Sequence, residues 1–321
     1  MMFDLDKNYC NENCSKTELL KRTRATGVDF CNRRRRGVFG FTLVELLVVV
    51  AIIGILATLI TAAAFRVIAT TRVTTVRMKI GELEQALELY KNKFGEYPPM
   101  LNDAPAVARH IKKRWPRCSV TSIPTTTKDS LVFWLGGFQN EDGKYCGFGV
   151  DKANPFGVTE GVGSGAYDNE VFIELIHGTN VKPDPDDGKI RVVISMGGKD
   201  YPVVYFRGRK GGGEDAYKHK YKDNDNNDVT EIWQETTSCG IASPYWKDSG
   251  KWHNPETFQL IHTGIDGEFF RFPETVTTDA AKKTYFDDYK NRRITNGSEL
   301  NDHDYDNITN LGTSTIETLL P

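Results

Sequence analysis

A single long apolar run divides the chain into two regions with different patterns. No charged residue occurs between Leu46 and Phe65, and one acidic residue, Glu45, directly precedes the run. An α-helix rises about 1.5 Å per residue, so the run can cover the roughly 30 Å of a bilayer core. A buried helix of a soluble protein is rarely apolar on every face over such a length. The run therefore predicts a membrane-spanning or targeting helix.

After the run, apolar residues recur every three or four positions. This spacing places them on one face of a continuing helix and leaves the other faces to charged residues. The stripe consists of Val73, Val76, Ile80, Leu83, Leu87, Tyr90 and Phe94. Gly95 suits a helix C-cap, and Pro98 and Pro99 cannot continue a helix. We expect one helix from about Phe41 to Phe94, with its stripe packed on the globular region that follows.

Beyond Pro99, short runs rich in β-branched and aromatic residues alternate with clusters of Gly, Asp, Asn and Pro. Such runs predict β-strands separated by turns. The candidate strands are 130–138, 169–176, 189–196, 201–208 and 258–264. One further helix is expected at 104–114. The predicted fold class is α+β: a long N-terminal helix, membrane half plus amphipathic half, packed on an antiparallel sheet of about four to six strands with large loops.

The charge distribution changes at the same place as the apolar pattern. The 321 residues carry a net charge of −2, yet residues 1–40 contain nine Lys or Arg and five Asp or Glu. The rest of the chain is therefore acidic. This argues against nucleic acid as a partner, because nucleic-acid binding needs a basic face. Four arginines, Arg33–Arg36, directly precede the apolar run, and the positive-inside rule then places the N-terminus in the cytoplasm.

The chain shows few signals of redox or catalytic chemistry. Cys118, Cys146 and Cys239 follow the apolar run. Outside the cytoplasm one disulfide can form among them and one thiol is left over, but their spacing does not choose the pair. The sequence has no His-Glu-x-x-His, phosphate-binding Gly-rich or Gly-x-Ser-x-Gly motif. We therefore expect no enzymatic activity.

Two targeting hypotheses compete for the apolar run. A secretory signal peptide would be cut at the small residues Ala62–Ala64 and would release a soluble protein. A retained membrane helix is favoured by three features: the length of the run, the acid at its start, and the helical pattern that continues beyond Ala64.

The segment from Gly40 resembles the N-terminal signal of type IV pilins and type II secretion pseudopilins, since it reads GFTLVELLVVVAIIGILA. In that family a membrane-embedded prepilin peptidase cuts after the glycine and methylates the new N-terminal residue. The resemblance implies cleavage between Gly40 and Phe41, methylation of Phe41, and an assembly role for Glu45. It also implies polymerisation with other pilin-like subunits on an inner-membrane assembly platform.

Two further passages are similar to the major pseudopilin of type II secretion. The first is IGELEQALELYKNKFGEYPP at the end of the predicted helix, and the second comprises FQLIHTGIDGEF and DYDNITN near the C-terminus. The second pair resembles the calcium-binding loops of that subfamily. Its candidate ligands here are Asp266, Asp302, Asp304 and Asp306. The alternate spacing of the last three also suits a hard cation. A similar acidic run at 223–228 is interpreted as a solvated loop.

Glu45 has a physical explanation in a filament. A carboxylate in an apolar setting costs several kcal/mol unless it is paired, and we expect nothing nearby in the same chain to pair Glu45. After cleavage at Gly40, the amine of Phe41 on a neighbouring, staggered subunit can supply that partner. The alternative is that Glu45 extends to the lipid headgroups, as a residue near a helix end can.

These observations predict four segments. Residues 1–40 form a cytoplasmic leader that is removed, 41–66 a transmembrane and assembly helix, 67–98 its amphipathic continuation, and 99–321 an extracytoplasmic β-rich domain. The predicted function is a structural subunit of a pilus-like or pseudopilus filament, held in the inner membrane by one pass before assembly. The alternative is a tethered or secreted ligand-binding module that uses the helix only as an anchor or signal.

Overall fold

The computed structural model describes most of the chain after residue 40. The described residues are 41–119, 128–185, 188–209, 211–212, 216–217, 219–222, 228–231, 234–236, 239–248, 251–270, 303–312 and 315–316. They fall into two units, divided between Ala57 and Thr58. The predicted leader, 1–40, lies outside the described residues.

The long helix predicted from the apolar pattern is present as α1, Leu43–Phe94. Its first turn contains Glu45, and its last turn contains Lys91 and Lys93. Both placements suit the helix dipole. The helix ends at Gly95, which has a φ of 76° and whose N–H donates to the carbonyl of Lys91 (2.6 Å). The predicted glycine stop is therefore confirmed.

Two shorter α-helices follow α1 within the described residues. Helix α2, Ala104–Arg114, was predicted at these positions; the carboxylate of Asp103 caps it by accepting the N–H of Ala106 (3.2 Å). Helix α3, Ser130–Gly136, is capped by Asp129 and is buried along its whole length. The prediction of a strand at 130–138 is wrong. A short, fully apolar run has no periodicity that separates a buried helix from a buried strand, so the sequence pattern was ambiguous.

The main sheet has five antiparallel strands in the order β1–β2–β3–β10–β11. Its strands are β1 Val181–Pro183, β2 Ile190–Met196, β3 Lys199–Arg207, β10 Phe258–His262 and β11 Ile308–Thr309. The predicted strands at 189–196, 201–208 and 258–264 are confirmed, as is the α+β fold class. The prediction at 169–176 is wrong, because this segment forms only isolated contacts, such as Phe172 N–H to the Leu135 carbonyl (3.0 Å).

Three two-stranded ribbons lie between β3 and β10 in the chain. They pair β4 with β5, β6 with β7, and β8 with β9, all antiparallel. Their bounds are His219–Lys222, Asp228–Glu231, Gln234–Thr236, Gly240–Ala242, Trp246–Asp248 and Lys251–Trp252. None of these short strands had a clear sequence signal.

The stripe of α1 contributes directly to the core. Val76, Ile80, Leu83, Leu87 and Tyr90 are buried, and Val73 and Phe94 pack against the same cluster. The chain after the helix is fixed by two side-chain bonds to buried prolines. Tyr205 donates to the Pro98 carbonyl (2.8 Å) and Trp134 to the Pro99 carbonyl (2.8 Å). These bonds satisfy carbonyl groups that burial would otherwise leave unpaired.

A buried polar network joins α1 to α2. The hydroxyl of Tyr90 bonds to Nε2 of His110 (2.6 Å), and Nδ1 of His110 bonds to Glu96 (2.9 Å). Burial lowers the pKa of His110, so the ring is held neutral and its two nitrogens can serve one donor and one acceptor. The hydrogen bond with His110 lowers the pKa of Glu96 to about 2. The network therefore connects the end of α1 to α2 through hydrogen-bonded polar groups.

Candidate processing and assembly site

The first unit presents apolar side chains with no cover from the described chain. Every side chain between Phe41 and Ala57 is exposed, and Phe41 itself is 81% exposed. Within the described residues, α1 is the one helix long and apolar enough to cross a membrane, with a mean hydropathy of 2.9 over its most apolar window. The exposed surface requires lipid or other apolar helices to cover it. Gly40, the other residue of the predicted cut, lies outside the described residues.

Glu45 has a partner that the sequence reasoning overlooked. Its Oε2 accepts the backbone N–H of Thr42 (2.9 Å) and the Thr42 hydroxyl (2.9 Å). The N–H of Glu45 donates back to Oγ1 of Thr42 (3.2 Å). This arrangement is a capping box, which satisfies N–H groups that a helix start leaves unpaired.

The expectation that nothing within the chain can pair Glu45 is therefore wrong. The missed signal was present in the sequence, because Thr42 and Glu45 have the Thr-x-x-Glu spacing of a capping box. The bonds occupy one carboxylate oxygen. Within the described residues no hydrogen bond reaches the other, Oε1, so the carboxylate can still accept a second donor.

The candidate calcium residues occupy two facing segments. Oδ2 of Asp306 accepts the N–H groups of Ile265 (2.6 Å) and Asp266 (2.8 Å). Burial, with a smaller contribution from the Asp266 charge, raises the pKa of Asp306 to about 6. Gly264 makes this approach feasible, since it has a φ of 75° and a Cβ there would collide with the carbonyl of Asp306.

The other carboxylates of this group are already engaged. Asp304 is fully buried and accepts the hydroxyl of Tyr245 (2.9 Å), while Asp266 pairs with His303 (2.7 Å). Asp302 lies outside the described residues. Among the residues that are described, no three His, Cys, Asp or Glu side chains are grouped as a metal site requires. One feature favours a cation nonetheless: Oδ1 of Asp306 is buried and has no hydrogen-bond partner in the described chain.

The comparison with protein families bears on the N-terminal segment. Residues 35–61 match the family model of the prokaryotic N-terminal methylation motif. The match spans the predicted cut at Gly40 and Phe41, the capping box and most of the apolar run. It confirms the resemblance of this segment to type IV pilins and pseudopilins. No curated protein and no solved structure matches the chain.

The motif supports a prepilin-type, pilin-like protein that is anchored by one apolar helix. The three cysteines of the body, Cys118, Cys146 and Cys239, are buried, and no disulfide joins them. Burial raises the pKa of the Cys146 thiol, which disfavours the reactive thiolate.

Two ion pairs in the body were also missed from the sequence. Arg191 and Asp184 form a buried pair (3.3 Å), and the buried Lys128 pairs with Glu160 at the surface. Asp184 and Arg191 lie seven residues apart at the ends of neighbouring strands, and a long stretch of chain separates Lys128 from Glu160. Neither separation produces a periodic pattern in the sequence.

Proposed function

We propose that the chain is a structural subunit of a pilus-like or type II secretion pseudopilus filament. A prepilin peptidase cuts between Gly40 and Phe41 and methylates Phe41, and the processed subunits polymerise through α1. The observation that carries this proposal is the methylation motif at 35–61, which leads directly into a helix with fully exposed apolar side chains.

The exposed first unit supplies the driving force for both stages. In the inner membrane, lipid covers the apolar residues, with the N-terminus on the cytoplasmic side and the body outside. In the filament, the helices of other subunits replace the lipid. Removing apolar surface from water stabilises a state by about 25 cal/mol per Å². The membrane-bound state and the filament both remove this surface from water and are stabilised in this way.

Glu45 sets the register between subunits in this proposal. Its Oε2 remains in the capping box with Thr42, and Oε1 accepts the Phe41 amine of a neighbour. A different axial offset between neighbouring subunits would leave that carboxylate unpaired in an apolar setting, which costs several kcal/mol. The buried pair therefore selects one stagger among many that apolar packing alone would accept.

Intact mass of the mature protein tests the processing step. We expect a chain that begins at methylated Phe41. A start at Phe65 would indicate secretory cleavage, and a start at Met1 would favour the tethered binding module. Gly40→Leu should leave the chain uncut, because the peptidase needs a small residue there. Gly37→Leu is the matched control in the same segment and should be cut normally.

Glu45→Val tests the assembly step. Cleavage and membrane insertion should survive, while incorporation into filaments should fail, as judged by electron microscopy of sheared filaments. Glu82→Gln is the control, since it neutralises an exposed acid on the same helix that pairs with Lys79 (2.8 Å). Normal filaments from the Glu45 variant would rule out the pairing with the Phe41 amine.

We further propose that calcium binds at Asp266, Asp302, Asp304 and Asp306 and fixes the two segments together. The unpartnered Oδ1 of Asp306 supports this proposal. Chelation with EGTA should lower the melting temperature of the wild type, because a ligand that binds only the folded state stabilises it. The shift should vanish in Asp306→Asn and persist in Asp151→Asn, an exposed control. The absence of any shift in the wild type would refute the site.

A further inference from the structure

A basic groove lies on the second unit. It has a volume of about 450 Å³, within the usual range of ligand pockets. Three segments line it: the turn after α1, the first half of α2, and the end of β3 with the residues that follow. Its polar walls carry three arginines, Arg109, Arg207 and Arg209.

Two of the arginines are held in place by the fold. Nη1 of Arg207 donates to the carbonyl groups of Glu256 (3.2 Å) and Thr257 (2.9 Å), and its guanidinium carbon lies 5.0 Å from the centre of the Tyr97 ring. Arg209 donates to Asp103 (2.7 Å). Cations fixed in this way lose little conformational entropy when a ligand binds.

The acids of the groove neutralise Arg209 but neither Arg109 nor Arg207. Glu96 is engaged by His110 (2.9 Å) and Lys113 (3.5 Å), while Asp103 caps α2 and pairs with Arg209. No ion pair joins Arg207 or Arg109 to an acid within the described residues, and Arg109 is exposed. The groove therefore concentrates positive charge in a chain whose net charge is −2.

The donors that the groove offers to an anion are side chains rather than backbone N–H groups. A phosphate site at a helix start uses free backbone N–H groups. Here Pro105 has none, the N–H of Ala106 donates to the side chain of Asp103, and that of Val107 donates to its carbonyl. The remaining donors are guanidinium groups, whose planar fork pairs with a carboxylate as well as with a phosphate, so the apolar lining, rather than the donors, favours a peptide carboxylate. Beside them, Tyr97, Pro99 and Met100 provide an apolar floor.

We propose that this groove binds an acidic peptide segment of a partner protein, with an Asp or Glu carboxylate on the arginines and a neighbouring apolar side chain on the floor. Arg109, which forms no ion pair with the described residues, bonds to the carboxylate from its position on α2. Arg207 and Arg209 provide the fixed part of the site. This role is independent of cleavage at Gly40 and of filament assembly.

Binding can be measured by calorimetry on the full chain in detergent micelles. The probe is acetyl-Leu-Asp-Glu-Leu-amide, and the neutral control is acetyl-Leu-Asn-Gln-Leu-amide. We expect saturable binding of the acidic peptide only. Arg109→Gln should weaken it about tenfold or more, because a charge-assisted hydrogen bond is lost. Lys112→Gln should change it little, since Lys112 is an exposed cation on the same helix that does not line the groove.

Several results would overturn the proposal. They are equal binding of the neutral peptide, equal effects of the Arg109 and Lys112 substitutions, and no binding by the wild type. Inorganic phosphate and tri-galacturonate, a sugar that carries carboxylates, are tested as competitors of the acidic peptide. Tighter binding of either competitor than of the peptide would show that the groove binds a phosphate or a sugar carboxylate instead. Thermal melts of both variants show whether each keeps the wild-type fold.

Discussion

The two halves of α1 use apolar residues in opposite ways. In the first half, which belongs to the first unit, all side chains from Phe41 to Ala57 are exposed, and apolar residues occupy every face. In the second half, the apolar residues between Val73 and Phe94 include one stripe that packs in the core of the second unit. One continuous helix therefore contains a surface that only an outside environment can cover and a surface that the chain covers itself.

The difference shows that periodicity, rather than hydrophobicity, indicates where an apolar residue is buried. A helix that is apolar all round must lie in lipid or among other helices, whereas a helix with a single stripe packs on its own domain. Substitutions at matched positions in the two halves can test whether this division holds.

The largest effect is expected from an acid placed in each half. Ile80→Asp buries an unpaired charge in the core and should unfold the second unit, because the cost of several kcal/mol is comparable to the stability of a whole domain. Ile53→Asp changes an exposed residue of the first unit. It should leave the near-UV circular dichroism of the body unchanged and reduce the fraction of protein in membranes. Unfolding of the body by Ile53→Asp would contradict the division.

A smaller but sharper difference is expected within the second half. Leu87 is 0% exposed and Leu89 is 57% exposed, two positions apart on the same helix. Leu87→Ala should lower the free energy of unfolding by about 2–5 kcal/mol, since it removes buried methyl groups and leaves a cavity. Leu89→Ala should change it by no more than about 0.5 kcal/mol. Urea denaturation in micelles measures both, and similar losses would show that Leu89 is also covered.

The strongest patterns of the sequence predicted the fold correctly. The apolar run, the stripe from Val73 to Phe94 and the glycine stop at Gly95 predicted α1 and its end, and alternating or fully apolar strands predicted β2, β3 and β10. The segment 130–138 was misassigned because α3 is buried on all sides and therefore has no polar face to mark its period. The short ribbons depend on tertiary contacts that local sequence does not record.

Some features of the candidate sites could likewise be predicted from the sequence, and others could not. The methylation motif at 35–61 could be recognised from the sequence, because its residues stand at fixed spacing. The Thr-x-x-Glu spacing also indicates the hydrogen bond from Thr42 to Glu45, which our sequence prediction did not include. The groove between α2 and β3 could not be predicted, since Arg109 and Arg207 are brought together only by the packing of distant segments.

A pH effect should be confined to the second unit. Burial lowers the pKa of His262 to about 4, below the usual value near 6.5. Between these values the unfolded chain binds a proton that the folded chain does not. The contribution of His262 is therefore complete above about pH 6.5 and is lost as the pH falls to 4, by about 3 kcal/mol.

Comparison of the wild type with His262→Gln isolates this contribution, because the half-buried His253, whose pKa burial also lowers, is present in both proteins. The variant should have a flatter dependence of unfolding free energy on pH from 7 to 4. Leu46 to Phe65 contains no titratable side chain, so the membrane-bound fraction should not vary over this range. If the unfolding free energies of the two proteins depend equally on pH, the folded chain protonates His262 at the same pH as the unfolded chain.

The smallest effect is expected at the start of α1, where a polar contact is local to the first unit. Thr42→Ala removes the hydroxyl of the capping box and should destabilise the first turn by about 1 kcal/mol. The amides of the first turn should then exchange several-fold faster in micelles, while the free energy of unfolding of the body stays unchanged. Thr42→Ser keeps the hydroxyl and should exchange like the wild type. Faster exchange in the serine variant as well would show that the Thr42 methyl group, rather than its bond to Glu45, holds the first turn.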